Sequence, residues 1–196
     1  MPLSSLNGLL ELLEKGEWSQ IDRLMEDYYT DHLEYIQEDF RQRFPERYAI
    51  VSSAIDAHRS GEYALSIPVF LAQADGICYQ TINVQLFSKE RKCPKPRTAS
   101  YVEEMVLTDA FMAALLEPLR IPLPISGPID RLPSTEDILN RHAILHGRST
   151  QYGTRSNSLK AISLLHYVGT MLSSVSDDMV QVLAPDSPHE RDTIGS

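Results

Sequence analysis

Three features of this 196-residue chain predict an all-α fold. Apolar residues recur at three- and four-residue spacing through most of its length, as one buried face of a helix requires. Pro and Gly punctuate those stretches, and the densest proline cluster, 118–133, marks a connection rather than an element. No repeat of fixed period and no linker-like segment divides the chain, so one core is expected; area scaling for this length buries roughly 70% of the unfolded surface.

Leu3, Leu6, Leu9, Leu10 and Leu13 form the apolar stripe of an opening helix that stops at Gly16. Ser19 is the expected N-cap of a second, very acidic helix whose stripe is Ile21, Leu24, Tyr28, Leu33, Ile36 and Phe40, ending before Pro45. From Pro45 to His58 a third helix places Tyr48, Val51 and Ile55 together, and Ser60 and Gly61 close it. Residues 62–86, the longest strongly apolar stretch, predict a buried helix kinked at Pro68 and closely packed at Gly76; a strand over 65–71 is the competing assignment. A helix over 101–116 follows, with Val102, Met105, Val106, Phe111, Met112 and Leu115 inward. Residues 118–133, with five prolines, are expected to cross the surface as an ordered loop. Ser134, Glu136 and Asp137 suit the start of a helix running to His146 and stopping at Gly147. The last helix, 154–172, buries Leu159, Ile162, Leu165, Val168 and Leu172; periodicity is lost from about Ser173, and 184–196 reads as disordered. The expected organisation is an acidic helical extension over 1–44, a helical bundle with a four-helix core over 45–176 and a flexible tail over 177–196.

Apolar residues make up 42% of the chain and charged residues 23%, close to globular averages. No segment approaches the roughly 20 apolar residues of a membrane span, and the N-terminus has no basic leader, so a soluble cytoplasmic protein is expected. Cys78 and Cys93 have neither disulfide-framework nor zinc spacing; Cys78 reads as a small core residue and Cys93 as a loop thiol.

A net charge of −9 argues against a broad surface for nonspecific nucleic-acid binding. The charge is unevenly spread. Residues 1–44 hold ten acids against four bases, whereas 138–176 contains no acid and carries Arg141, Arg148, Arg155 and Lys160 with His142, His146 and His166. A second basic run, 89–97, reads as a solvated loop.

The acid-free stretch includes NRHAILHG (140–147), then Tyr152-Gly153-Thr154 and Asn157-Ser158-Leu159-Lys160-Ala161. On a helix Arg141 and His146 lie about 140° and about 7.5 Å apart, while His142 and His146, four apart, share a face. An imidazole near neutral pKa can take a proton from a ribose 2′-hydroxyl or give one to a leaving oxygen, and a guanidinium can hold the phosphate between them. Two histidines at this spacing also suit a metal, but the sequence supplies neither a Glu between them nor a clear third ligand, so no metal or cofactor is implied.

NRHAILHG resembles the Arg-x4-6-His signature of the HEPN superfamily, with Arg141 and His146 at its signature positions and a polar His142 after the arginine. GEYALSIPVFLAQADGI (61–77) is similar to a helix of bacterial HEPN-like proteins that ends in an acid followed by Gly-Ile, and YGT and NSLKA resemble their continuation after the motif. The resemblance covers roughly 62–172. It implies a HEPN-like bundle, often dimeric with a composite cleft, and a metal-independent endoribonuclease of a toxin, antiphage or RNA-processing system, with RNA and an antitoxin or defence protein as partners. Members that have lost catalysis bind RNA, nucleotide or protein, the alternative here. It further implies His146 as general acid/base, Arg141 as phosphate stabiliser, and His142 and Asp75 as auxiliaries. Arg148, Tyr152, Arg155, Asn157 and Lys160 surround the motif as candidate RNA or phosphate contacts.

Overall fold

The computed structural model describes residues 3–90, 95–106, 110–128 and 138–183. These residues are mostly helical, with no strand among them. In order the helices are α1 (Leu3–Lys15), α2 (Trp18–Asp31), α3 (Leu33–Arg43), α4 (Pro45–Arg59), α5 (Tyr63–Ile82), α6 (Thr98–Val106), α7 (Ala110–Leu115), α8 (Glu117–Arg120), α9 (Arg141–Leu145) and α10 (Arg155–Leu183), with a 3₁₀ turn at Pro124–Ser126 before α9. None of them is long and apolar enough to cross a membrane.

The core lies between α3, α4, α5 and α10. The 62–86 stretch is helical rather than a strand, and Ile67, Phe70, Leu71, Ala74, Ile77 and Cys78 of α5 are all fully buried. Against them α10 sets Leu159, Ile162, Leu165, Val168 and Leu172, the five residues its periodicity selects. Leu33, Ile36, Phe40 and Phe44 join the same cluster from the N-terminal side of position 45. Gly169 is where α10 comes closest to α3, since a Cβ there would stand 3.1 Å from the Phe40 ring.

Several boundaries differ from the sequence expectation. The acidic helix is broken in two at His32, whose Nδ1 lies 2.7 Å from the Tyr28 carbonyl while its ring stacks on Tyr28. A side chain that competes for a helical carbonyl favours an end to the helix there. Glu17, rather than Ser19, occupies the N-cap of α2. Phe111 and Leu115 of α7 face outward, and Leu116 and Leu119 fill the core in their place. The proline-rich connection is not loop throughout: Pro118 sits in the first turn of α8, where a missing N–H costs no helical hydrogen bond. The helix expected up to His146 does not include residues 138–140, and its motif-bearing part is only α9. α10 continues past Leu172 to Leu183, because no proline interrupts it before Pro185. The capping residues Ser134, Glu136 and Asp137, the thiol of Cys93, the side chains of Met105 and Val106, and residues 184–196 lie outside what is described.

One buried polar node ties three helices together. His58 at the end of α4 has Nδ1 2.8 Å from Ser158 Oγ of α10, which is 2.9 Å from Ser66 Oγ of α5. Burial holds the His58 imidazole below its ordinary value near 6.5, and the charges of Arg155 and Arg59 add to the effect. His166 on α10 is also lowered, chiefly by burial, with Asp39 opposing. A histidine kept neutral in the fold takes its proton more readily once unfolded, so stability is full above about pH 6.5 and is lost as the pH falls below it. Urea midpoints are expected to drop between pH 8 and pH 5.5, with a shallower drop in His58→Gln, which removes one of the titrating groups.

Candidate functional site

The motif is carried by a helix of five residues, so its position depends on its ends. Asn140, fully buried, caps the N-terminus: its Oδ1 accepts from Ala143 N at 2.9 Å, and its Nδ2 donates to the carbonyls of Pro124 at 3.2 Å and Gly127 at 3.1 Å. The cap explains why the helix begins at Arg141. Asn is among the strongest N-cap residues, and that identity alone was the available signal in the sequence. The C-terminus closes in a Schellman turn, in which Gly147 adopts φ +66°, Gly147 N donates to Ile144 O at 3.1 Å and Arg148 N to Ala143 O at 2.8 Å. Ala143 and Ile144 are buried beneath this helix, and His142 and His146 are exposed.

The two imidazoles meet edge to face with centroids 4.3 Å apart. His146 occupies the C-cap, and its N–H still donates to the His142 carbonyl at 3.2 Å, which keeps the helical spacing of the two residues. Partial desolvation pulls the His142 pKa below its ordinary value, and the positive charges of His146, Arg141, Arg148 and Lys89 pull it the same way. Among the described residues no group of three or more His, Cys, Asp and Glu gathers at metal-binding distance.

Arg141 turns inward from the same helix. Its guanidinium carbon stands 5.3 Å from the centroid of the Phe87 ring, and Nη2 is 3.8 Å from Asp75 Oδ2. That separation supports an ion pair but is too long for a hydrogen bond. Nε is buried without a hydrogen-bond partner, and among the described residues no side-chain hydrogen bond holds the guanidinium. Arg41, Arg43, Arg47 and Arg120, by contrast, all spend their forks on side-chain acceptors at 2.6–3.0 Å. Asp75 has its other oxygen 2.7 Å from Leu86 N, so one carboxylate both folds the chain back after α5 and faces the arginine.

The remaining candidates fall into two groups. Arg148 follows His146 in the Schellman turn and belongs with the motif. Tyr152, Arg155, Asn157 and Lys160 do not join it. Pro68 has no N–H to give to the Ala64 carbonyl four residues back, and the Tyr152 hydroxyl donates to that carbonyl instead, at 3.0 Å. Tyr152 therefore repairs a helix eleven residues from Asp75. Tyr152→Phe is expected to cost about 1 kcal/mol in urea denaturation, the usual net worth of one such bond. Asn157 is buried and donates to the Tyr152 carbonyl at 3.0 Å, fastening the turn before α10. Arg155 donates to Thr30 Oγ1 at 2.7 Å and pairs with Glu26 at 3.4 Å, and Lys160 pairs with Asp22 at 3.0 Å. The acids of α2 thus neutralise the basic start of α10.

Two residues at the site are visible only in three dimensions. Phe87 carries no motif, and Lys89 belongs to the basic run read as a solvated loop. Burial raises the Cys78 thiol to about 12, which keeps it an unreactive core group. The chain matches no protein-family model, no curated protein and no solved structure.

Proposed function

We propose that this protein is a metal-independent endoribonuclease of HEPN type, cutting RNA through attack of a ribose 2′-hydroxyl on the adjacent phosphorus. The observation that carries the reading is the guanidinium of Arg141, held in place by Phe87 and Asp75 with hydrogen-bond donors uncommitted, beside two exposed imidazoles 4.3 Å apart. An arginine so placed has N–H groups to give to non-bridging phosphate oxygens as their charge grows. His142, favoured in its neutral form, accepts the 2′-hydroxyl proton as O2′ bonds to phosphorus. His146 in its protonated form delivers a proton to the departing 5′-oxygen as the P–O5′ bond breaks. The products are a 2′,3′-cyclic phosphate and a 5′-hydroxyl. Asp75 acts as a positioning residue through Arg141.

The homodimer, the cytoplasmic setting and a toxin or antiphage system with its partner protein belong to the same proposal, and the dimer is read from the mass in solution. Binding of RNA without cleavage is the second reading. The Asp75 carboxylate favours it, because it offsets part of the Arg141 charge that a transition state would use. Incubation of the pure protein with transfer and total RNA in EDTA, beside Arg141→Ala and His146→Ala, separates the two. Cyclic-phosphate ends that both variants abolish support the nuclease; intact RNA retained by a folded protein supports the binding module. Cleavage unchanged in both variants overturns the nuclease assignment.

A further inference from the structure

Two basic segments some fifty residues apart in sequence converge on the histidine pair. The first follows α5. Leu86 N donates to Asp75 Oδ1 at 2.7 Å, which turns the chain back and lays Phe87 against Arg141. Lys89, two residues further on, is held by an antiparallel bridge to Pro96, with Arg97 N on Ser88 O at 3.1 Å and Glu90 N on Lys95 O at 3.1 Å fastening both sides of it. This small ladder fixes a backbone that its composition alone would leave as a solvated loop. From there the Lys89 charge is felt at His142. The second segment is the Schellman turn, which bends the chain after Gly147 and brings Arg148 back over α9 through its 2.8 Å bond to Ala143 O.

Three cations from two stretches of the chain therefore gather near His142 in a protein whose net charge is −9. Arg141 is anchored by its aromatic and carboxylate neighbours. Lys89 and Arg148 differ from it, because no ion pair with a described acid fixes either side chain; by contrast Lys160 and Arg155 are neutralised by α2. Like charges brought together repel and cost stability, so their gathering asks for an anion that repays it.

We propose that Lys89 and Arg148 form an anion clamp beside the histidine pair, gripping the phosphates next to the one held by Arg141. The clamp acts on backbone charge and so binds a polyanionic strand without reading its bases. It deepens the nuclease reading and rests on it for the identity of the strand. The presence of an anion site is independent of whether the strand is cut.

The test uses the full chain and two probes. In the first, inorganic phosphate is titrated at low salt while the ring resonances of His142 and His146 are followed by NMR. A saturable shift is expected in the wild type, weakened about 2–5-fold by Lys89→Gln and by Arg148→Gln, the range for a single exposed ionic contact, and unaltered in Lys15→Gln on α1. In the second, a 2′-O-methyl oligouridine, which cannot be cut through its 2′-oxygen, is bound at several salt concentrations. Each of the two variants is expected to reduce the slope of log K against log salt by about 0.7, one phosphate contact of a single strand.

No phosphate-dependent shift in the wild type, or equal affinities and slopes in the wild type and both variants, overturns the clamp. Phosphate binding that depends on Lys89 in a protein that leaves RNA intact supports the clamp and removes the nuclease reading. Cleavage whose KM is untouched by Lys89→Gln and Arg148→Gln removes the clamp and leaves the nuclease reading standing.

Discussion

Alanine at His146 is expected to lower the rate of RNA cleavage by about 10²–10⁴-fold, the usual contribution of a positioned general acid or base. The loss should appear in kcat with little change in KM, because the imidazole transfers its proton only as the bonds to phosphorus change. Folding is not the confounder here, since His146 is exposed and its helix end is closed by Gly147 and Arg148 backbone bonds that an alanine retains. Arg141 needs more care, because it lies across Phe87 and beside Asp75. Arg141→Lys keeps the charge and loses the planar fork, so it should remain folded and lose nearly as much rate as Arg141→Ala. A variant pair in which lysine restores cleavage would reduce the role of Arg141 to a point charge. Measured rates are best compared at pH 7 and pH 6. With the His142 pKa held below its ordinary value by desolvation and the neighbouring positive charges, its base form extends to lower pH than that of a free imidazole, and a wild-type rate that already falls off above pH 6.5 would count against His142 as the base.

Asn140→Ala is expected to cost about 2–4 kcal/mol, combining about 1 for a lost N-cap with about 0.5–1.5 for each of the two bonds donated to the Pro124 and Gly127 carbonyls. The residue is fully buried, its three hydrogen bonds reach both the start of α9 and the turn at Pro124–Ser126, and a methyl group replaces none of them. Because α9 has only five residues, its few internal bonds give it little stability alone, and its cap decides where Arg141, His142 and His146 stand. Asn140→Ala should therefore lose activity along with stability. Asn140→Asp keeps the acceptor for Ala143 N and discards the two donated bonds, so it should restore the cap while leaving the Gly127 carbonyl without Asn140 and the Pro124 carbonyl with its bond from Gly127 N alone. Urea midpoints for the three proteins separate the two contributions, and an Asn140→Ala protein as stable as the wild type would show that the cap is dispensable.

Local chemistry decided a large part of this fold. The α1 stop at Gly16, the α4 start at Pro45, the helical character of α5, the Gly147 turn and the five buried residues of α10 each follow from a cap, a breaker or a 3.6-residue period confined to one short window. The grouping of His142 with His146 belongs to the same class, since four residues of helix bring the rings together whatever lies around them. Tertiary structure alone decided the rest. It gave Tyr152 to the carbonyl freed by Pro68, committed Arg155 and Lys160 to the acids of α2, and set Phe87 beneath Arg141 with Lys89 nearby. These partners stand 52 to 138 positions apart, and a contact over that span leaves no period in the sequence. It forms only after burial of the α5 and α10 stripes has brought the two stretches of chain to the same place.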